Sequence, residues 1–269
     1  MTVVKSSLPQ WVLGEGLFLN NSGGFMLFII FVMFVNFVFA QNANEIFNKA
    51  VVAIEENDKK IESLSGEFKL KVVLNYDMTV KKGNYEFLYD VKFDRGEIKE
   101  RRLISNPEKV DSQSLAIAKR IEKIREGENL KIKNLVFPFL RLSENSTDKK
   151  IDFKLKGIEK YNGKDCYVLG VDFKVKNDSI GSEGNGIILI ERENNFPVRC
   201  EYDIIYQSKR VGKNQSKQFL DIAGYGGGYL PVRNEIQVFP KVLFVKLGTA
   251  KVIYETGRFT FKNKIGEAP

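Results

Sequence analysis

Between residues 66 and 94 apolar side chains recur at every second position, a period no helix can use. Phe68, Leu70, Val72, Leu74 and Tyr76 alternate with Glu67, Lys69, Lys71 and Asn75; Tyr85, Phe87, Tyr89, Val91 and Phe93 alternate with Glu86, Asp90, Lys92 and Asp94. Successive side chains of a strand point to opposite faces, so each run presents one apolar face and one charged face. Such strands must bury a single side, which is the habit of an antiparallel sheet. Turns are expected at Lys81-Lys82-Gly83-Asn84 and at Asp94-Arg95-Gly96.

The same period returns in IDFKLKGIEK, in DCYVLGVDFKV with Tyr167, Leu169, Val171, Phe173 and Val175 on one face, and in GIILIER, FPVRCEYDIIYQ, QFLDIAGY, YLPVRNEIQVF and KVIYETGRFTF. Ser179 to Gly186 reads as a Gly-rich hairpin and Ser208 to Ser216 as a long polar loop. Two segments follow the helical period instead. From Asn42 or Asn44, Ile46, Phe47, Ala50, Val51 and Ile54 form one stripe; from Asp111 or Ser112 to Gly127, Leu115, Ile117, Ala118, Ile121 and Ile124 form another. The run Leu135-Val136-Phe137-Pro138-Phe139-Leu140 contains a proline, so it is expected as a loop or short helix over the sheet. Ten or eleven strands and two main helices with no linker predict a mainly β, α+β domain over residues 41–269, built on one curved antiparallel sheet.

Residues 25–40, FMLFIIFVMFVNFVFA, carry Asn36 as their only polar side chain. As a helix they would span about 24 Å, short of the roughly 30 Å hydrocarbon core. The run ends in Val38-Phe39-Ala40, a small-residue cleavage site, so residues 1–40 are read as an export signal cut after Ala40, with an uncleaved membrane anchor as the alternative. The segment ahead of it carries only Lys5 and Glu15, and Met26 is an alternative start. The expected location is periplasmic. There is no cysteine directly after Ala40 to take a lipid anchor.

The chain has no histidine, which excludes Ser-His-Asp and Cys-His machinery and the common zinc hydrolase sites. Two cysteines cannot complete a four-cysteine zinc or iron-sulfur site. The carboxylates lie singly along polar strand faces, and Gly224-Tyr225-Gly226-Gly227-Gly228 is neither a dinucleotide fingerprint nor a P-loop. No enzyme, metal or cofactor is therefore expected. Cys166 and Cys200 fall on strands two apart in a meander, leaving a disulfide or two small buried thiols as alternatives. The net charge of +8 is spread along the chain, reading as a solvated face or as attraction to anionic membrane surfaces; nucleic acid is not expected.

The order of parts resembles the periplasmic lipoprotein-carrier superfamily, the LolA/LolB-like outer-membrane lipoprotein-sorting proteins. The residues carrying the likeness are Ser63-Leu64-Ser65-Gly66 after the first helix, Gly163 to Leu169, and Phe196-Pro197-Val198-Arg199. The resemblance implies a half-open barrel covered by the N-terminal helix and an inserted lid helix, enclosing a hydrophobic cavity for lipid or lipoprotein acyl chains. Cavity candidates are Phe68, Leu70, Val72, Tyr85, Phe87, Tyr89, Leu169, Val171 and Phe173, with Ile117, Ile121 and Ile124 on the lid. The family's lid latch, an arginine early in the chain, has no counterpart between Gln41 and Asp94. An envelope protein that binds or senses another protein on the same curved sheet is the alternative function.

Overall fold

The computed structural model describes residues 43–79, 81–105, 110, 112, 115–116, 129–144, 146–176, 180–208, 212–226, 228–242, 245–246 and 248–262. Helix α1 covers residues 43–61. Three strands follow, β1 (Gly66–Met78), β2 (Lys81–Asp94) and β3 (Glu97–Ser105), then the short helices α2 (Lys133–Val136) and α3 (Pro138–Ser143). The remaining strands are β4 (Asp148–Tyr161), β5 (Lys164–Lys176), β6 (Ile180–Glu191), β7 (Pro197–Ser208), β8 (Gly212–Tyr225), β9 (Gly228–Phe239), the small pair β10 (Lys241–Val242) and β11 (Val245–Lys246), β12 (Gly248–Thr256) and β13 (Thr260–Phe261).

The alternating runs assemble into one antiparallel sheet ordered β3-β2-β1-β12-β9-β8-β7-β6-β5-β4, with β13 beside β1. β3 and β4 are not joined, so the sheet stays open. The chain runs outward from β1 to β3, crosses to β4 at the opposite edge, then returns strand by strand until β12 closes on β1. That closure is non-local: Val72 faces Tyr254 across the β1–β12 pair.

Helix α1 joins the two halves of the sheet. Ala43, Ile46, Phe47, Ala50 and Ile54 pack with Leu169, Val171, Phe173, Ile188, Cys200 and Leu220 of β5–β8. Two turns further, Ile61 packs with Phe68, Leu70, Phe87 and Tyr89 of β1–β2 and Leu230 of β9. The stripe expected from 3.6-residue spacing is thus buried, each fully buried Ile or Phe contributing about 1.5–3 kcal/mol. Asn57 fixes the register of α1 on the sheet: its Nδ2 donates to the Tyr229 carbonyl at 3.0 Å and its Oδ1 accepts the Tyr229 N–H at 2.7 Å. Gly228 permits this approach, since its φ is +153° and a Cβ there would lie 2.8 Å from Asn57 Oδ1.

The apolar insertion is neither strand nor open loop. Pro138 opens α3, where a missing N–H costs nothing. Val136, Phe137 and Phe139 are fully buried between α1 and β5–β7, and the Tyr202 hydroxyl donates to the Val136 carbonyl at 2.5 Å.

Three expectations about connections are corrected. Lys81–Asn84 belong to β2 rather than to the first turn, because Tyr76 pairs with Gly83, Asp77 with Lys82 and Met78 with Lys81. The glycines Gly181, Gly184 and Gly186 lie inside β6 rather than in a hairpin. The Phe173 ring occupies the space above Gly184, 2.8 Å from where a Cβ would stand, and the Tyr202 ring covers Gly186. The polar stretch Lys213 to Ser216 is already strand β8, with Ser216 turned inward and buried.

Cys166 and Cys200 are both buried and free. Cys166 pairs across to Glu191 and Cys200 to Ile188, three residues apart on β6, so the thiols lie on opposite faces of the sheet. They pack in separate clusters, Cys166 with Leu189 and Val198, Cys200 with the α1 core. A disulfide is out of reach, and burial raises both thiol pKa values. Neither thiol is expected to react with an aromatic disulfide reagent at pH 8 in the native state, while two equivalents react in denaturant. A mass increase of two hydrogens on reduction would contradict this geometry.

Candidate functional site

A cavity of about 610 Å³ opens on the inner face where α1 leaves the sheet. Its floor is Phe68 and Leu70 of β1, Tyr254 and Thr256 of β12, and Pro231 and Asn234 of β9. One wall is the last two turns of α1 with Glu55, Asp58 and Lys59, continued by Glu62 just past it; the other is Ile98 and Arg101 of β3. Residues 129–135 form the roof, with Leu130 and Leu135 lining the space.

The roof is held largely by polar contacts. Asp58, 8% exposed, accepts the Ile132 N–H at 3.0 Å and the Lys133 N–H at 3.4 Å. Glu55 pairs with Lys133 at 2.5 Å and Glu62 with Lys131 at 2.5 Å. Residues 55, 58 and 62 fall on one side of α1 and the turn that follows it, so three carboxylates hold residues 131–133. At the other end the Leu130 N–H donates to the Gly96 carbonyl at 2.7 Å, and Asn129 bridges to Glu97. Burial raises the Asp58 carboxyl pKa against the pull of the two N–H groups, while the Glu62 carboxylate raises that of Lys131.

A row of directly paired residues crosses the sheet, Phe87, Val72, Tyr254, Asn234, Leu220, Cys200, Ile188, Leu169 and Leu155, and Tyr254 and Asn234 are its members that line the cavity. Asn234 is the one amide in it. It is 6% exposed, and its Oδ1 has no hydrogen-bond partner among the described residues. A buried acceptor left in that state costs about 1–3 kcal/mol.

The residues expected at a cavity separate into three groups. Phe68 and Leu70 line it. Val72, Phe87 and Tyr89 are 1% exposed and belong to the packed β1–β2 core, while Tyr85 is half-buried beside Tyr76 at the far end of the hairpin. Leu169, Val171 and Phe173 are covered by α1 and the insertion, so that half of the inner face is filled. Ile117, Ile121 and Ile124 lie outside the described residues. Asn234, Arg101 and Asp58 were not anticipated as site residues, though two left signals. Asn57 and Asp58 continue the stripe of Ile54 toward Ile61, and Asn234 shares a strand parity with Ile236 and Val238.

Among the described residues no group of three or more acidic or cysteine side chains is arranged to hold a metal, and no helix is long and apolar enough to cross a membrane. The architecture is an open antiparallel sheet with a central helix, its inner face packed along β5–β8 and along β1–β2, with the cavity between α1 and β3. No family model and no curated protein matches the chain. Among solved structures it is similar to a DUF1329 family protein from Desulfovibrio piger, at 15% identity and TM-score 0.34 over 84% of this chain and 95% of that one. It is also similar to a LolA superfamily protein from Nitrosomonas europaea, at 12% identity and TM-score 0.29 over 80% and 94% of the two chains. A third is a domain described as an outer membrane lipoprotein-sorting protein from Vibrio parahaemolyticus, at 12% identity and TM-score 0.34 over 80% and 93%.

Proposed function

We propose that this protein is an exported, non-catalytic carrier that holds the acyl chain of a lipid or lipoprotein in the cavity beneath residues 129–135. The observation that carries the reading is the contrast within one inner face: β5–β8 are covered by aromatic packing, whereas Phe68, Leu70, Ile98, Leu130 and Leu135 surround a space of about 610 Å³. Ligand sites typically occupy about 300–1,000 Å³ with mostly apolar walls. Each methylene moved from water into such a site contributes about 0.8 kcal/mol, so a chain of modest length binds without any covalent step. Loading requires a movable roof, and in residues 129–135 the ion pairs Glu55–Lys133 and Glu62–Lys131 are exposed and replaceable by water, whereas the buried Asp58–Ile132 hydrogen bond and the Ile132 side chain are what opening has to overcome.

The test is the lipid content of protein purified from its own envelope, read by mass spectrometry of an organic extract, for wild type and Thr256→Trp. Thr256 lines the cavity at the end of β12, where an indole fills space without displacing a packed side chain. Wild type is expected to carry lipid and Thr256→Trp at least about tenfold less at similar thermal stability, tenfold being about 1.4 kcal/mol. Wild-type protein free of lipid, or a variant loaded like wild type, overturns the reading.

A further inference from the structure

We propose that the cavity admits a single acyl chain, so that the ligand class is a lipid with one chain, a free fatty acid or a lysophospholipid, rather than a multiply acylated lipid or lipoprotein. This rests on the carrier reading and narrows its ligand. The first support is volume. The cavity measures about 610 Å³, and a methylene in a close-packed interior takes up roughly 27 Å³. At that density a hexadecanoyl chain needs about 430 Å³ and two such chains about 860 Å³, so one fits and a second does not. Part of the space also borders Glu55, Lys59, Glu62 and Lys131, against which an alkyl chain gains nothing.

The second support is that the apolar ground on either side is already occupied. Toward β5–β7 the protein fills the inner face with its own insertion: Val136, Phe137 and Phe139 are fully buried there, and the ring of Phe47 stands 4.0–6.0 Å from those of Phe137, Phe139 and Phe153. Leu135 belongs to both sides, lining the cavity and packing against that cluster, and so forms the partition between hollow and filled space. On the β1 flank Phe68 packs against Phe259 at 4.6 Å and Phe93 at 6.1 Å. Spreading either cluster to seat a second chain would force well-packed rings off their rotamers. Across α1 lies a further hollow of about 490 Å³, but Glu56, Asn57, Lys60 and Asn194 border it, groups that an alkyl chain would strip of water, and its two rings, Phe196 and Tyr229, are stacked on each other at 3.8 Å.

The test is the number of acyl chains that the delipidated full chain takes up, read by native mass spectrometry. The probes are hexadecanoate in excess and, separately, vesicles of dihexadecanoyl-phosphatidylcholine doped with a minor share of 1-hexadecanoyl-lysophosphatidylcholine, each followed to constant occupancy. One hexadecanoate is expected per protein, lost in Thr256→Trp because the indole fills the same cavity. From the vesicles, one lysolipid is expected per protein, at least tenfold above the two-chain lipid although the latter makes up most of the membrane. Two hexadecanoates that are both lost in Thr256→Trp, or two-chain lipid bound as fully as the lysolipid, overturn the single-chain limit and leave the carrier reading standing. Hexadecanoate bound equally by Thr256→Trp sits outside the cavity, and with it, or with no binding of any of the three lipids, the carrier reading falls and this inference falls too. The wild-type ratio of lysolipid to two-chain lipid decides the matter even if the variant fails to fold.

Discussion

Phe139→Ala is expected to destabilise the protein by about 3–5 kcal/mol, seen as a lower urea midpoint with an unchanged slope. Phe139 is fully buried, and its ring centroid lies 5.6–6.3 Å from those of Phe47, Phe137, Phe153, Phe173 and Tyr202. These neighbours belong to α1, the insertion and strands β4, β5 and β7, so the truncation leaves a void that none of them can fill alone. Edge and tilted aromatic contacts add about 0.5–1.5 kcal/mol per pair beyond area burial. Tyr202→Phe separates ring from hydroxyl: it keeps the packing and leaves the Val136 carbonyl without its donor, at a cost of about 1–2 kcal/mol. A loss below about 1 kcal/mol for Phe139→Ala would mean that the insertion is peripheral to the core.

Asp58→Ala is expected to cost about 2–4 kcal/mol, because it strands the buried Ile132 N–H and its neighbour while also emptying space under the roof. The carboxyl also gives stability a pH dependence with a definite sign. Burial raises its pKa in the fold above the ordinary 3.8. The unfolded chain therefore loses its proton first as pH rises, and the folded state loses stability between that value and the raised one. Below the unfolded pKa the contribution is fully present; above the folded pKa it is gone and the curve is flat. In Asp58→Asn this decline disappears from urea titrations run across that range. Were wild type and Asp58→Asn to lose stability in parallel over it, another acid would be responsible.

The functional consequence concerns the roof. Asp58 lies between the pairs Glu55–Lys133 and Glu62–Lys131, so weakening it loosens the segment that covers the cavity without touching Phe68 or Leu70. The arginine latch that the carrier resemblance implies is absent from residues 41–94; what holds residues 131–133 against α1 is a set of carboxylates bonded to backbone N–H groups and lysines.

Much of the architecture was legible in residue order because it depends on side-chain period alone. Phe68 to Tyr76 and Tyr85 to Phe93 can bury one face only as strands, and Ile46 to Ile54 only as a helix, whatever lies elsewhere in the chain. The sequence likewise removed histidine chemistry and left an apolar working surface as the natural reading. Turn positions were read less well, since Gly83, Gly184 and Gly186 carry the same letter in a strand as in a loop, and only the rings of Tyr85, Phe173 and Tyr202 beside them decide.

What tertiary structure alone decided is which part of the apolar face stays open. Leu70 and Leu169 occupy the same kind of position in the same kind of strand, and nothing local tells them apart. Leu169 is sealed because α1 and the insertion come to rest over β5–β7; Leu70 borders the cavity because α1 ends above β1 and β9, and residues 129–135, running into the short helix α2, cross the gap without filling it. Hollow and filled space are set by contacts between residues far apart in sequence, and the alternation within a single strand carries no record of them.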